Sequence, residues 1–482
     1  MQLQLSPDLA TKLPYTTALV QQAQAYTLRA QAPGHGGLGY TDEYKQLLPH
    51  ASFLDVSVMP GLAEALSASE EFYADWLGVE WVRYFTTGAT GAAIAAAMAL
   101  FNTVAGGLVA IQSSCHMSVW DAARYAAARI VTLPPRMSPL GFALAVHPDD
   151  LREFLAAHPD LRGLILSTPS YEGAVGHLKE LIEIAHAHGV VVMVDCAWGP
   201  ELGRSPLLPG GPIEAGADVV VFSQHKTTAS PGQVATVILP RNSRISTLQA
   251  ERAARASGTT SKNSMLLAGL ETGLRDLMET GERRIARAIE RVEEQEARFR
   301  TMGLGHLLVD WGTYADVAGH VPYRVVFDTR ETGYTGFELA AMLGSHGVQV
   351  AQPNHGFMVF GFGLGAIDHI EPIFRAVADL VGGLDPRPAL GYPPLPPLRV
   401  HEIDLRVLLH RPVEAVPYRD AVGRLVADAV SPYPPGFPAV VPGQVVLPED
   451  ARYLELIFDE WRAVRHGLPD DVPAGHLLVL KE

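Results

Sequence analysis

Four short runs, Leu108–Ile111, Leu164–Leu166, Val190–Val194 and Val219–Phe222, are wholly apolar and mostly β-branched. Helical patterns such as Leu178–His188 separate them. A strand without a polar face must be covered on both sides. Strands linked through helices run parallel, and the helices supply that cover. Residues 83–240 therefore predict an α/β unit built on a mostly parallel sheet, with Thr236–Leu239 as a further strand.

The chain has 482 residues, enough for two or three domains. Its 37 basic and 52 acidic residues leave a net charge of −15, which disfavours nucleic-acid partners, whose phosphates need Lys and Arg. Two cysteines, Cys115 and Cys196, exclude a disulfide-stapled scaffold. Met1–Leu13 lacks the pattern of a signal peptide, and Ala89–Phe101 is too short to span a bilayer and reads as a buried helix. No membrane association and a cytoplasmic location are expected.

Beyond the sheet, Leu274–Arg300 is a charged helical stretch. Its Ile285, Ala288, Ile289 and Val292 keep the spacing of one packed stripe. From about residue 320 a smaller α+β unit follows. Its strand candidates are Tyr323–Phe327, Val348–Val350 and Phe357–Phe360, and its helix Phe337–His346. Leu384–Leu398 is Pro-rich and reads as a stiff connector. The expected division is 1–310, 311–390 and 391–482.

Four motifs fall at strand ends, where open α/β sheets bind ligands. Thr86-Thr87-Gly88-Ala89-Thr90-Gly91 opens an Ala-rich helix, and its backbone N–H groups could cradle a phosphate or merely form a tight turn. Ser113-Ser114-Cys115-His116-Met117-Ser118 offers His116 for stacking on a flat ring, or as an ordinary hydrogen-bonded histidine. Asp195, ending an apolar strand ahead of Ala197 and Trp198, needs a positive partner, a metal or a helix to cap. Lys226, in Ser223-Gln224-His225-Lys226, could be desolvated into a Schiff-base nucleophile, or be an ordinary exposed lysine. Together the four make the set that pyridoxal phosphate requires. A zinc-ligand spacing and a GxGxxG fingerprint are both absent, so no metal is expected.

With Pro33-Gly34-His35-Gly36-Gly37, these motifs resemble the Orn/Lys/Arg decarboxylase family of fold-type-I pyridoxal-phosphate enzymes, in its short form without the N-terminal wing domain. Tyr433-Pro434-Pro435-Gly436-Phe437 and Pro442-Gly443-Gln444 resemble that family's C-terminal signature, which ordinary aminotransferases lack. The resemblance implies an aspartate-aminotransferase-like large domain, a smaller α+β domain and a C-terminal decarboxylase-family domain. It implies that Lys226 carries the cofactor and that Asp195 pairs with its ring nitrogen. His116 and Ala197 would flank the ring. Ala89, Thr90, Gly91, Ser223 and His225 would hold the phosphate, with Thr260 or Ser261 reaching it from the neighbouring subunit of a homodimer. Trp198 and His35 are substrate-side candidates. The implied reaction is decarboxylation of a basic amino acid, arginine before lysine or ornithine, as in polyamine biosynthesis.

The chain departs from the family pattern at Thr87-Gly88-Ala89-Thr90, His116-Met117-Ser118 and Thr260-Ser261-Lys262. Ala351 and Gln444 stand where the family carries acids. A dibasic substrate needs an acidic group at its far end, so these two positions bear on specificity. The alternatives are another pyridoxal-phosphate reaction on an amino acid, such as transamination or oxidative decarboxylation, and a non-catalytic homologue that still binds the cofactor.

Overall fold

The computed structural model describes residues 24–31, 33–35, 40–51, 61–391, 398–433 and 436–481. Met1–Leu13, Gly36, Gly37, Pro434, Pro435 and residues 392–397 of the Pro-rich connector lie outside them.

Eight strands form the large sheet: β1 (Trp81–Phe85), β2 (Leu108–Gln112), β3 (Arg129–Leu133), β4 (Leu161–Ser167), β5 (Val191–Asp195), β6 (Val219–Phe222), β7 (Ala235–Leu239) and β8 (Glu402–Asp404). Their order is β8-β3-β2-β4-β5-β6-β7-β1. The five strands from β3 to β6 are parallel. β7, β1 and β8 pair antiparallel with their neighbours. The chain runs outward from β2 to β3 and returns to β4 on the other side of β2, so the sheet has a switch point between β2 and β4. A crevice opens at the carboxyl ends of strands at such a point. Every residue of β2, β5, β6 and β7 is buried, as unbroken apolar strands require.

The Ala-rich helix α1 (Gly88–Thr103) is buried on nearly all sides, with Ala92, Ala93, Ala95, Ala96, Ala97 and Ala99 at most 1% exposed. Small side chains let α2 (Thr247–Ser257) approach closely through Ala250, Ala253 and Ala254, which join the same core cluster. The charged helix α3 (Ser264–Thr301) begins ten residues before the stretch read from periodicity, because Asn263 caps it by accepting from the N–H groups of Met265 and Leu266. Its buried stripe includes Leu270, Leu274, Leu277, Ile285, Ala288, Val292 and Phe299. Gly269 and Gly273 bring it against Ser230 and Pro231, shortly after Lys226 in the chain.

Arg324–Asp328, Phe357–Gly361 and Gln352–Pro353 form a three-stranded antiparallel sheet. The rings of Phe299, Phe327, Phe360 and Phe374 pack there with centroids 5.1 to 5.5 Å apart. Val348–Val350 is a strand, as its composition predicts, but it pairs in parallel with Leu28–Ala30 instead of entering that sheet. In the C-terminal part, Val413–Pro417 pairs with His476–Leu480 over a core that includes Val426, Val430, Val440, Leu454 and Leu477. Among the described residues no helix is long and apolar enough to cross a membrane.

Ala96 is 0% exposed within the core cluster that α1 shares with α2 and the large sheet. Ala96→Leu should therefore destabilise the protein by about 1–3 kcal/mol through overpacking, measured as a lowered urea midpoint at unchanged slope.

Candidate active site

Four strand ends converge on one cavity. β2 leads to Ser114 and His116, and β4 to Ser167 and the turn Ser170–Tyr171–Glu172. β5 ends at Asp195, followed by Ala197 and Trp198, and β6 leads into the single turn Gln224–Thr227 that carries Lys226. Lys226, Asp195, His116, Ala197 and Trp198 all line the cavity. β5 and β6 are adjacent and parallel, so Asp195 and Lys226 are presented side by side at the same sheet edge.

Burial governs the charges. It lowers the Lys226 ammonium to a pKa of about 8, against the pull of Asp195 and with help from Arg324. The Asp195 carboxyl is raised by burial, while Lys226 and the Ala197 N–H act the other way. That N–H donates to Asp195 Oδ1 at 3.2 Å. The Lys226 amine lies 4.6 Å from the Trp198 ring centroid. His116 has two contacts at once. Its Nδ1 accepts from the Ser118 N–H at 3.2 Å and caps the following helix, while its ring faces the cavity. Burial, then the fields of Lys226 and His466, hold its pKa down at about 4.

A buried scaffold stands behind Lys226. Glu201, fully buried, accepts from the Thr227 hydroxyl at 2.8 Å and from the Tyr323 hydroxyl at 2.9 Å. Arg324 donates from Nη1 to the Tyr171 carbonyl at 2.7 Å and lies 3.6 Å over the Trp198 ring. Two residues at the start of the small sheet thus hold the backs of the walls carrying Lys226 and Trp198. Gly34 donates to the His225 carbonyl at 2.7 Å, and a Cβ there would sit 2.7 Å from the Thr227 carbonyl carbon. The Gly34 turn is a backbone clamp on the lysine turn. His35 does not line the cavity; it stacks on Tyr40 at 4.0 Å, and burial, Arg29 and His225 lower its pKa to about 4.

The glycine turn lies beside this set. Gly88 adopts φ of +73° and donates to the Gln233 carbonyl at 2.9 Å. The next residue, Val234, accepts from His225 Nδ1 at 3.0 Å. Burial lowers the His225 pKa to about 4, so its ring is neutral. Ser223 is fully buried beside His225 Nδ1 at 3.2 Å. Ala89, Thr90 and Gly91 form the first turn of α1 and do not line the Lys226 cavity. Thr260 lines a different recess, with Arg83, Thr86 and Lys262.

Sequence reading missed four contributors. Phe437 lines the cavity from the C-terminal part. It is placed by Gly436, whose carbonyl accepts from the Met117 N–H at 3.1 Å. Gly436 has φ of +90°, and a Cβ there would stand 3.1 Å from the His116 ring. Glu172, Glu201 and Arg324 are the others. Glu172 follows an apolar strand in a polar run, Ser167-Thr168-Pro169-Ser170-Tyr171-Glu172, a fifth strand-end signal of the kind used above. Arg324 and Glu201 carry no local signal. Neither substituted acid position faces the cavity. Gln444 accepts from the Val441 N–H and donates to Asp450, and the Ala351 carbonyl accepts from the Tyr171 hydroxyl behind the wall.

His35, His116 and His225 all have folded pKa values near 4, below the unfolded value of about 6.5. Between those limits the unfolded chain binds more protons, so their contribution is whole above pH ~6.5 and is lost as pH falls toward ~4. The melting temperature should begin to fall near pH 6.5, and less steeply in His225→Asn than in the wild type.

The chain matches the sequence model of the Orn/Lys/Arg decarboxylase major domain over residues 13–312, and that family's C-terminal domain over residues 401–469. It is 23% identical to an arginine decarboxylase of Bacillus anthracis, over 97% of each chain. It superposes on lysine decarboxylase A of Pseudomonas aeruginosa with a TM-score of 0.69 and 16% identity, covering 99% of this chain and 83% of the other. For the lysine decarboxylase of Francisella novicida the TM-score is 0.68 at 15% identity, covering 99% and 85%. These likenesses show the fold, a fold-type-I architecture with a mostly parallel central sheet and a separate C-terminal domain. The major-domain match spans more than half of the chain: the protein belongs to the Orn/Lys/Arg decarboxylase family, and it is a pyridoxal-phosphate-dependent amino-acid decarboxylase.

Proposed function

We propose that the protein removes CO2 from a basic amino acid, arginine in preference to lysine or ornithine, and releases the amine. The observation that carries the chemistry is the pair Lys226 and Asp195, both desolvated and lining one cavity. The relatives that bear the name arginine decarboxylase support the order of substrates.

The residues present fit pyridoxal phosphate. Lys226 offers a buried amine close to neutrality, and Asp195 a carboxylate beside it. The start of α1 has no side-chain cap, and the buried Thr87 hydroxyl lacks a partner, which leaves that helix end suited to an anion. When bound, the cofactor supplies an electron sink for the pair left behind as the α-carboxylate departs.

The chain's own residues set the conditions for that chemistry. Lys226, with a pKa of about 8, keeps roughly a tenth of its amine unprotonated at pH 7. Asp195 holds a negative charge where a protonated ring nitrogen needs one. Ala197, two residues on, is small enough to accept a flat ring, and the neutral His116, on the same cavity, would stack on it. Ala89, Thr90 and Gly91, at the uncapped start of α1 beside the cavity, would hold phosphate oxygens together with Ser223 and His225, and Thr260 would be contributed across a homodimer. Trp198, which lines the cavity, borders the substrate; His35, which does not, supports the lysine turn from behind through the Gly34 segment. Phe437 excludes water on the C-terminal side. The three-part division at residues 310 and 390 and a cytoplasmic location belong to the same reading.

Product analysis tests the reaction. Cofactor-loaded protein incubated with arginine, lysine and ornithine should yield CO2 and agmatine, cadaverine or putrescine by mass spectrometry, agmatine fastest. A keto acid or aldehyde instead would replace decarboxylation with transamination or oxidation.

Two variants test the residue roles. Lys226→Ala should abolish turnover and remove the covalent linkage trapped by borohydride. Asp195→Asn should retain the fold, by circular dichroism, and lose at least about 100-fold in kcat, since a lost charge-assisted contact of about 3 kcal/mol corresponds to that factor.

A further inference from the structure

Two cavities meet at Glu172. The first is the one that holds Lys226. The second, of about 210 Å³, is walled by Phe142, Phe357, Tyr433, Tyr453 and Trp461. Glu172 and Phe437 line both. Lys226 lines the first and not the second, so a side chain leading from Lys226 toward the aromatic cavity passes Glu172 and Phe437.

Glu172 is 1% exposed, and its Oε1 has no hydrogen-bond partner. A buried carboxylate oxygen left unpaired costs free energy unless a donor reaches it. Arg324, whose field reaches Glu172, donates from Nη1 to the Tyr171 carbonyl at 2.7 Å and covers Trp198 with its plane, and its buried Nη2 has no hydrogen-bond partner, on Glu172 or elsewhere. Burial lifts the Glu172 pKa to about 7, opposed by its own backbone N–H, by Ser170 and by Arg324. At neutral pH the group is near its midpoint, and an arriving cation would tip it to the ionised form. The family's acids missing at Ala351 and Gln444 do not bear on this, because neither position faces either cavity.

We propose that Glu172 receives the cationic end of the substrate's side chain, which runs past Phe437 toward the aromatic cavity. The proposal deepens the decarboxylase reading and rests on it. The substrate class it names is an α-amino acid with an apolar stem ending in guanidinium or ammonium. The stem packs on Phe437, and Glu172, at the junction, supplies the counter-charge before the cavity whose lining also includes Arg462. A neutral isostere is rejected because it leaves the buried carboxylate without a counter-charge.

The test compares wild type, Glu172→Gln and Glu172→Asp, all cofactor-loaded. One arm measures kcat and KM for arginine and for citrulline, its neutral ureido isostere. The other measures, by calorimetry, dissociation constants for agmatine and N-carbamoylputrescine, which share a primary amine, differ in a cationic or neutral distal end, and carry no carboxylate to lose. Glu172→Gln should raise the arginine KM and the agmatine dissociation constant on the order of 10- to 100-fold, the loss of one charge-assisted contact. It should change kcat less than about threefold and leave the neutral partners unchanged or tighter. Glu172→Asp should keep the preference for the cation.

An unchanged cation-to-neutral binding ratio in Glu172→Gln overturns the proposal. A lowered melting temperature with that ratio unchanged would assign Glu172 to balancing Arg324 instead. An equal loss of kcat on both substrates, at constant ratio, would assign it to proton handling. If wild type decarboxylates no basic amino acid, the decarboxylase reading fails, while the agmatine ratio still decides the role of Glu172.

Discussion

The site depends on keeping a lysine and an aspartate out of water. Burial alone pushes both groups toward their neutral forms, and their mutual attraction opposes but does not cancel that push. Withdrawing an ion from water costs several kcal/mol in a real protein, so the surrounding fold has to impose the arrangement. It does so with adjacent parallel strands that are apolar up to Asp195. In the turn that follows β6, the Lys226 amine is desolvated, and its lowered pKa leaves more of it in the nucleophilic form.

The closure of the cavity comes from parts of the chain far from the sheet. Gly34 clamps the backbone of the lysine turn, and Tyr323 reaches Glu201, which in turn holds Thr227. Arg324 covers the back of Trp198. Gly436 approaches the His116 ring at a backbone geometry that favours glycine, and Phe437 enters the wall. The first segment, the small sheet and the C-terminal part all meet the large sheet at this point. Gly436 and Phe437 of the C-terminal signature therefore belong to the wall of the site, not to a remote structural motif.

The legible part of the site consisted of residues at the ends of apolar strands. Asp195 and Lys226 were visible because a charged residue directly after an unbroken β-branched run has few cheap locations. His116 was visible by the same placement, although its double use as helix cap and cavity wall was not. Glu172 follows the same rule at one remove, beyond Thr168-Pro169-Ser170-Tyr171, so nothing next to the apolar strand marks it. Glu201 and Arg324 could not be found this way. Their importance comes from partners far away in the chain, Tyr323 and Thr227 in one case and Trp198 in the other.

The sequence by itself determined the parallel sheet, the buried Ala-rich helix, the long amphipathic helix and the strand ends that carry chemistry, because alternation and periodicity are local properties of a backbone. Tertiary structure alone decided the rest. It paired Val348–Val350 with Leu28–Ala30 and placed Glu402–Asp404 at the edge of the large sheet. It put Thr260 in a recess apart from Lys226, and it set a buried carboxylate between two cavities. Those outcomes depend on which surfaces meet across hundreds of residues, and burial and electrostatic shifts are properties of that meeting, not of any residue's neighbours in the chain.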